Sequence, residues 1–108
     1  MFSRLSFLPG GKTAKAATSE EKAFLRVAVA AIPRLTEIIC ELAPEDRAGA
    51  LERAERTFLT AALDHGCTEI TAQSRVSAVM QRLRGRVERR QADEDNLRAL
   101  FHELTKRT

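Results

Sequence analysis

Residues 72–87 read AQSRVSAVMQRLRGRV. Apolar side chains recur in this run at steps of three and four residues, which is the spacing of one face of an α-helix. The apolar positions are Ala72, Val76, Val79, Met80, Leu83 and Val87. The pattern predicts a helix with one buried face, and Thr68 or Thr71 offers a side-chain oxygen to cap its first turn.

A first helix is predicted upstream, through residues 20–43. Thr18 followed by Glu21 matches a capping box, in which both side chains satisfy backbone N–H groups at the helix start. Pro33 removes one backbone hydrogen bond inside this helix, so we expect a kink or a break near residues 30–32. The predicted apolar stripe consists of Phe24, Val27, Ala31, Leu35, Ile38 and Leu42.

A second helix is predicted over about residues 45–65. Pro44 suits a first helical position, and the acids Glu45 and Asp46 suit the positive end of the helix dipole. Gly66 is placed to end the helix, because glycine readily adopts the left-handed conformation of a helix cap. The predicted buried residues are Leu51, Ala54, Phe58 and Ala62.

The C-terminal residues predict a fourth helix, whose apolar face consists of Leu97, Leu100, Phe101 and Leu104. Continuing the pattern of residues 72–87 places Arg90 and Glu94 at two adjacent core positions. We therefore expect a turn near residues 91–95. Because no glycine or proline lies between Val87 and Thr108, one long helix is the alternative.

Together these segments predict an all-α fold, a small and mainly antiparallel bundle of about four helices. Pro9, Gly10 and Gly11 interrupt regular structure near the start. Residues 1–17 are therefore predicted to form a flexible or docking N-terminal arm, and residues 18–108 the helical bundle domain. A chain of 108 residues can bury a core without disulfides or metals.

The composition indicates a cytoplasmic protein. Cys40 and Cys67 match neither a disulfide framework nor a zinc motif. No apolar run approaches the length of a membrane span, and the first residues are too short and broken for a signal peptide. Arginine exceeds lysine and alanine is abundant, a usage that favours a bacterial source.

The sequence predicts no catalytic residues, cofactor, metal or small-molecule substrate. Gly11, Lys12 and Thr13 match only the end of a phosphate-binding loop, without its first glycine or the strand that precedes it. Neither His65 nor His102 has the glutamate three residues earlier that a di-iron site requires. We therefore expect that the protein is not an enzyme.

Positive charge concentrates on the third helix, because residues 71–92 hold six arginines against one glutamate. At 100° per residue, four of these arginines share a sector about 60° wide and a fifth lies at its edge. We call this set the basic ridge; it consists of Arg75, Arg82, Arg86, Arg89 and Arg90. It suits an acidic protein surface or the phosphates of a nucleic acid, unless acids of the second helix (Glu45, Glu52, Glu55 and Asp64) neutralise it.

The N-terminal arm carries a second candidate binding element, made of Phe2, Leu5, Phe7 and Leu8. Apolar residues mixed with basic ones can dock into a groove or onto a membrane surface. We expect a disordered tail or protein docking in preference to membrane contact.

These observations predict a small non-catalytic interaction or regulatory protein that acts through protein–protein contacts with a protein partner or as a homodimer. The alternative is a nucleic-acid-binding protein that uses the basic ridge. The third hypothesis is a small helical enzyme or metal-binding protein.

Overall fold

The computed structural model describes residues 18–106, which fold into three α-helices: α1 (Ser19–Glu41), α2 (Pro44–Asp64) and α3 (Glu69–Lys106). No strand is present in this part of the chain. The all-α class is confirmed, with three helices in place of about four. The predicted arm, with Phe2, Leu5, Phe7 and Leu8, lies outside the described residues.

Local sequence signals set the ends of the helices. The Thr18 hydroxyl accepts a hydrogen bond from the backbone N–H of Glu21 at 3.1 Å, so Thr18 caps α1 as predicted. Pro44 occupies the first turn of α2. Gly66, after α2, has a φ of 97°, and a Cβ at this position would lie 3.1 Å from Cγ of Glu20, so glycine is required there.

α1 continues through Pro33 without a break, so of the two outcomes expected there the break is excluded, and the kink stays a prediction. Pro33 has no N–H to donate to the carbonyl four residues earlier in the helix. Because Pro33 is exposed, water can reach that carbonyl. The buried Thr36 hydroxyl donates to the Ile32 carbonyl at 2.8 Å, inside the helix. The rest of α1 packs well enough to hold the helix together around the proline.

The three helices run up, down and up. Glu21 of α1 contacts Arg75 of α3 at 2.9 Å, and Cys40, further along α1, contacts the Val87 carbonyl at 3.9 Å. α1 and α3 are therefore parallel, and α2 is antiparallel to both. The turn between α1 and α2 lies level with Gln91, because Arg47 at the start of α2 donates a hydrogen bond to the Gln91 side chain.

The core lies along the axis between the three helices. Every residue of the face predicted from residues 72–87 is buried. Phe24 and Phe58 meet edge to face with ring centroids 6.4 Å apart, a favoured aromatic geometry. The remaining buried apolar residues of α1, α2 and the loop before α3 are Ala28, Ile32, Ile39, Cys40, Ala62 and Cys67.

The stripe predicted for α1 is partly wrong. Val27 and Ile38 are 57% and 41% exposed, whereas Ala28 and Ile32 are buried. Leu35 packs against the core from a half-buried position. α1 has apolar residues over a wide sector, so the sequence alone did not decide which side of that sector faces the centre of the bundle.

The predicted turn near residues 91–95 and the separate fourth helix are wrong. α3 is continuous from Glu69 to Lys106, the alternative that the sequence left open. Arg90 and Glu94 form an ion pair at 3.4 Å along the helix. They occupy core positions of the repeat, but α1 and α2 end at this level, so both side chains meet solvent and neither has to be buried.

No helix within residues 18–106 combines the length and the apolar character that a membrane span requires.

Candidate interaction surfaces

The last twelve residues of α3 form its most unusual feature, because every residue from Asp95 to Lys106 is exposed. We call residues 95–106 the projecting segment. At 1.5 Å per residue it extends about 18 Å past the other two helices. A helix that extends into water without packing contacts needs another source of stability.

Four large apolar side chains lie on one face of the projecting segment, and we call them the apolar stripe: Leu97, Leu100, Phe101 and Leu104. Their exposed fractions are 64%, 54%, 74% and 56%. They were predicted as the buried face of a fourth helix, which is wrong. The stripe continues the core-facing side of α3 by the same heptad spacing, so it points to the side where α1 and α2 would lie if they were longer.

Elsewhere among the described residues, 18–94, the strongly exposed apolar side chains are separated. Val27, Val29, Leu63 and Ile70 are also more than a third exposed, but they are distributed over three helices, and isolated apolar residues are normal on protein surfaces. Ile38 borders an open groove of about 340 Å³ between α1 and α2, which Leu35, Leu42 and Phe58 also line. The apolar stripe is a contiguous patch, and such patches mark contact sites.

The basic ridge divides into a paired part and an unpaired part. Arg75 donates to the Glu21 carboxylate from both Nε and Nη2, at 3.1 and 2.9 Å, and the Glu21 side chain is only 13% exposed. Arg90 pairs with Glu94. The first pair joins α3 to α1 and the second lies within α3, and the charges of both arginines are already balanced.

Arg82, Arg86 and Arg89 are exposed, and no acidic side chain among residues 18–106 pairs with them. The alternative in which acids of α2 neutralise the ridge is not seen among the ion pairs of residues 18–106. Of the acids named for that role, Glu55 alone forms an ion pair with α3, through Arg84 at 3.4 Å, and Arg84 lies outside the ridge.

Two of the unpaired arginines, Arg86 and Arg89, border an open depression between α1 and α3, of about 380 Å³. Its lining residues are Pro33, Thr36, Glu37, Arg86, Arg89, Arg90 and Asp93. Two acids among three arginines leave a weak positive charge. The depression is shallow and polar, unlike the apolar enclosed pockets that hold small molecules.

The structure brings no reactive groups together in the part of the chain that it describes. Residues 18–106 contain no group of three or more His, Cys, Asp or Glu side chains placed to hold a metal ion. Cys40 and Cys67 are free and buried. Burial, and next the nearby carboxylate of Glu21, raise the pKa of the Cys67 thiol, so Cys67 is not activated as a nucleophile.

Comparisons with protein-family models, curated proteins and solved structures found no match to this chain.

Proposed function

We propose that this protein is a non-catalytic interaction module that works through protein–protein contacts, and that the projecting segment is its binding surface. The observation that carries the proposal is the apolar stripe, four large side chains each more than half exposed. A helix face of this kind is typical of recognition by an amphipathic helix, in which apolar anchors at i, i+3, i+4 and i+7 contact a partner.

The arrangement of the molecule supports this proposal. All the buried residues of the core lie between Phe24 and Val87, whereas no residue of the projecting segment is buried. Its apolar side chains therefore do not serve the stability of the isolated chain. Cys40 and Cys67 are free thiols, which agrees with a reducing compartment and supports our proposal of a cytoplasmic location.

Site-specific photo-crosslinking in cells that carry the protein tests the proposal. A photoreactive amino acid replaces Leu100 in the stripe and, as the matched control, Ser77, an exposed position on the packed part of the same helix. We expect covalent adducts with protein at Leu100 and none above background at Ser77. Equal yields at both positions would refute the projecting segment as the binding surface.

Binding to nucleic acid is the second candidate function, and the three unpaired arginines favour it. Neutralising three phosphates gives a slope of about −2.7 in a plot of log affinity against log salt for duplex DNA. The triple substitution Arg82→Ala, Arg86→Ala, Arg89→Ala should abolish that binding, whereas Arg53→Ala with Arg56→Ala on α2 should leave most of it. Affinity for DNA that is unchanged in the triple variant would contradict this candidate.

A further inference from the structure

We propose that the partner of the apolar stripe is the apolar stripe of a second copy of this chain, with the two α3 helices antiparallel. This inference rests on the proposed function, because it names the partner of the same surface. Three properties of the projecting segment carry it: the spacing of its stripe, its length and the charges at its ends.

The spacing of the stripe is self-complementary. Leu97 and Leu104 are one heptad apart, and Leu100 and Phe101 lie midway between them. In an antiparallel pair, placing Leu97 opposite Leu104 of the second copy also brings Leu100 opposite Phe101 of that copy. The same contacts then recur on both sides of a twofold axis, as an interface between identical subunits requires.

The length of the projecting segment fits this register. Lys106 comes level with Asp95 of the second copy, and Asp95 is four residues, or about 6 Å, past Gln91. Gln91 marks the level of the turn between α1 and α2, through its contact with Arg47. Lys106 therefore lies about one helical turn short of the bundle of the other copy, so this register brings no described residue into collision with that bundle.

The charges at the two ends of the projecting segment are complementary. Glu41, Glu45, Asp46 and Asp93 surround the turn between α1 and α2, and all four are exposed without an ion pair to any residue of 18–106. The antiparallel register brings Lys106 of the second copy to these acids. A parallel pair would instead place each acidic end beside the same acidic end.

Light scattering at several concentrations measures the assembly directly. The full chain should reach twice the single-chain mass of 12.0 kDa. Leu100→Asp should return it to the single-chain mass, because a charge would have to be buried at the twofold axis, while the circular dichroism spectrum stays mainly helical because the bundle keeps its core. Ile70→Asp, at the other end of α3 and 81% exposed, is the matched control and should remain dimeric, as should a chain that lacks residues 1–17.

Two cysteine variants test the register. Under oxidising conditions, a mixture of Leu97→Cys and Leu104→Cys chains should form a disulfide-linked dimer. Neither variant should do so alone, because the two copies of position 97 would lie about 10 Å apart along the axis, beyond the 7 Å limit for Cα atoms in a disulfide. The wild-type chain is the control, since Cys40 and Cys67 are buried.

A charge reversal tests the ends of the segment. Lys106→Glu should weaken the dimer roughly two- to fivefold, the range for an exposed ion pair, and combining it with Asp46→Lys should restore part of the loss. A disulfide-linked dimer in either cysteine variant alone, or none in the mixture, would overturn the antiparallel arrangement.

The tests separate failure of this inference from failure of the proposed function. A full chain that keeps the single-chain mass at every concentration overturns the second copy as partner. If photo-crosslinking at Leu100 still yields adducts with a different protein, the proposed function stands. If it yields none, both proposals fail.

Discussion

Replacing Leu83 by alanine should cost far more stability than the same substitution at Leu97, although both residues lie on one face of the same helix, two heptads apart. Leu83 is fully buried at 0% exposure, whereas Leu97 is 64% exposed. Intrinsic helix propensity changes equally at the two positions, because both lose a leucine and gain an alanine. The difference between the variants therefore measures where α3 leaves the core.

The loss at Leu83 has two parts. Removing three buried carbon atoms costs about 2.4 kcal/mol in transfer free energy. The cavity that remains raises the total free-energy loss to about 3–4 kcal/mol, within the range found for buried leucines. A loss of this size should lower the melting temperature by roughly 12–30 °C in a domain of this length. For Leu97, where about a third of the side chain is covered, the expected loss is less than about 1 kcal/mol.

Urea unfolding followed by far-ultraviolet circular dichroism measures both values. The protein should be dilute enough that light scattering gives the single-chain mass, so that self-association adds nothing to the stability. Equal losses for Leu83→Ala and Leu97→Ala, within about 0.5 kcal/mol, would refute the structural argument, because the apolar stripe would then be buried within a single chain.

Three further predictions use the same measurement. Arg75→Ala should lower the free energy of unfolding by about 1–2 kcal/mol, because it leaves the largely buried Glu21 carboxylate without its charged donor. Arg82→Ala should change it by less than about 0.5 kcal/mol, and equal effects of the two substitutions would contradict the division of the basic ridge. Pro33→Ala should stabilise the protein by about 1–3 kcal/mol, because it restores a backbone hydrogen bond in an exposed part of α1; a destabilised variant would mean that the proline supports the packing. The pKa of the Cys67 thiol is raised in the folded state. The stability that the protonated thiol contributes is therefore complete below the pKa of the unfolded thiol, about 8.5, and is lost as the pH rises through the folded pKa. Above pH 8.5, Cys67→Ala should lose less stability than the wild type, and identical pH profiles would contradict the raised pKa.

Local chemistry made part of this fold predictable. The cap at Thr18, the proline at the start of α2 and the glycine after it act through their own backbone and side-chain geometry, so each was recognised without knowledge of the rest of the chain. The buried face of α3 was predicted in full, because it packs against two helices at once and every position on that side must be apolar. The buried face of α1 was harder to predict, since the apolar residues of α1 cover a wider sector of the helix than the sector that is buried.

The basic ridge shows a different limit of prediction from sequence. Helical geometry placed five arginines on one sector of α3, but it did not show that Arg75 is neutralised. That pairing with Glu21 exists because α1 lies parallel to α3 and starts at the same level, and residues 54 positions apart in sequence meet only through the fold. Patterns within one helix predict the direction of a side chain, whereas its partner depends on how the helices are arranged.

The sequence already contained the lengths that decide how α3 ends, namely those of α1 and α2 and that of the heptad repeat of α3. α1 and α2 have 23 and 21 residues, and the heptad spacing of α3 runs from Ala72 to Leu104. A bundle is only as long as its shorter helices, so a third helix with a longer repeat must either turn or extend into solvent. Residues 88–106 contain no residue that stops a helix. At Arg90 and Glu94 the repeat no longer requires apolar side chains, because α1 and α2 end at this level. The return of leucine at position 97 is then best explained by a partner outside the chain, because the helices of the chain itself have already ended.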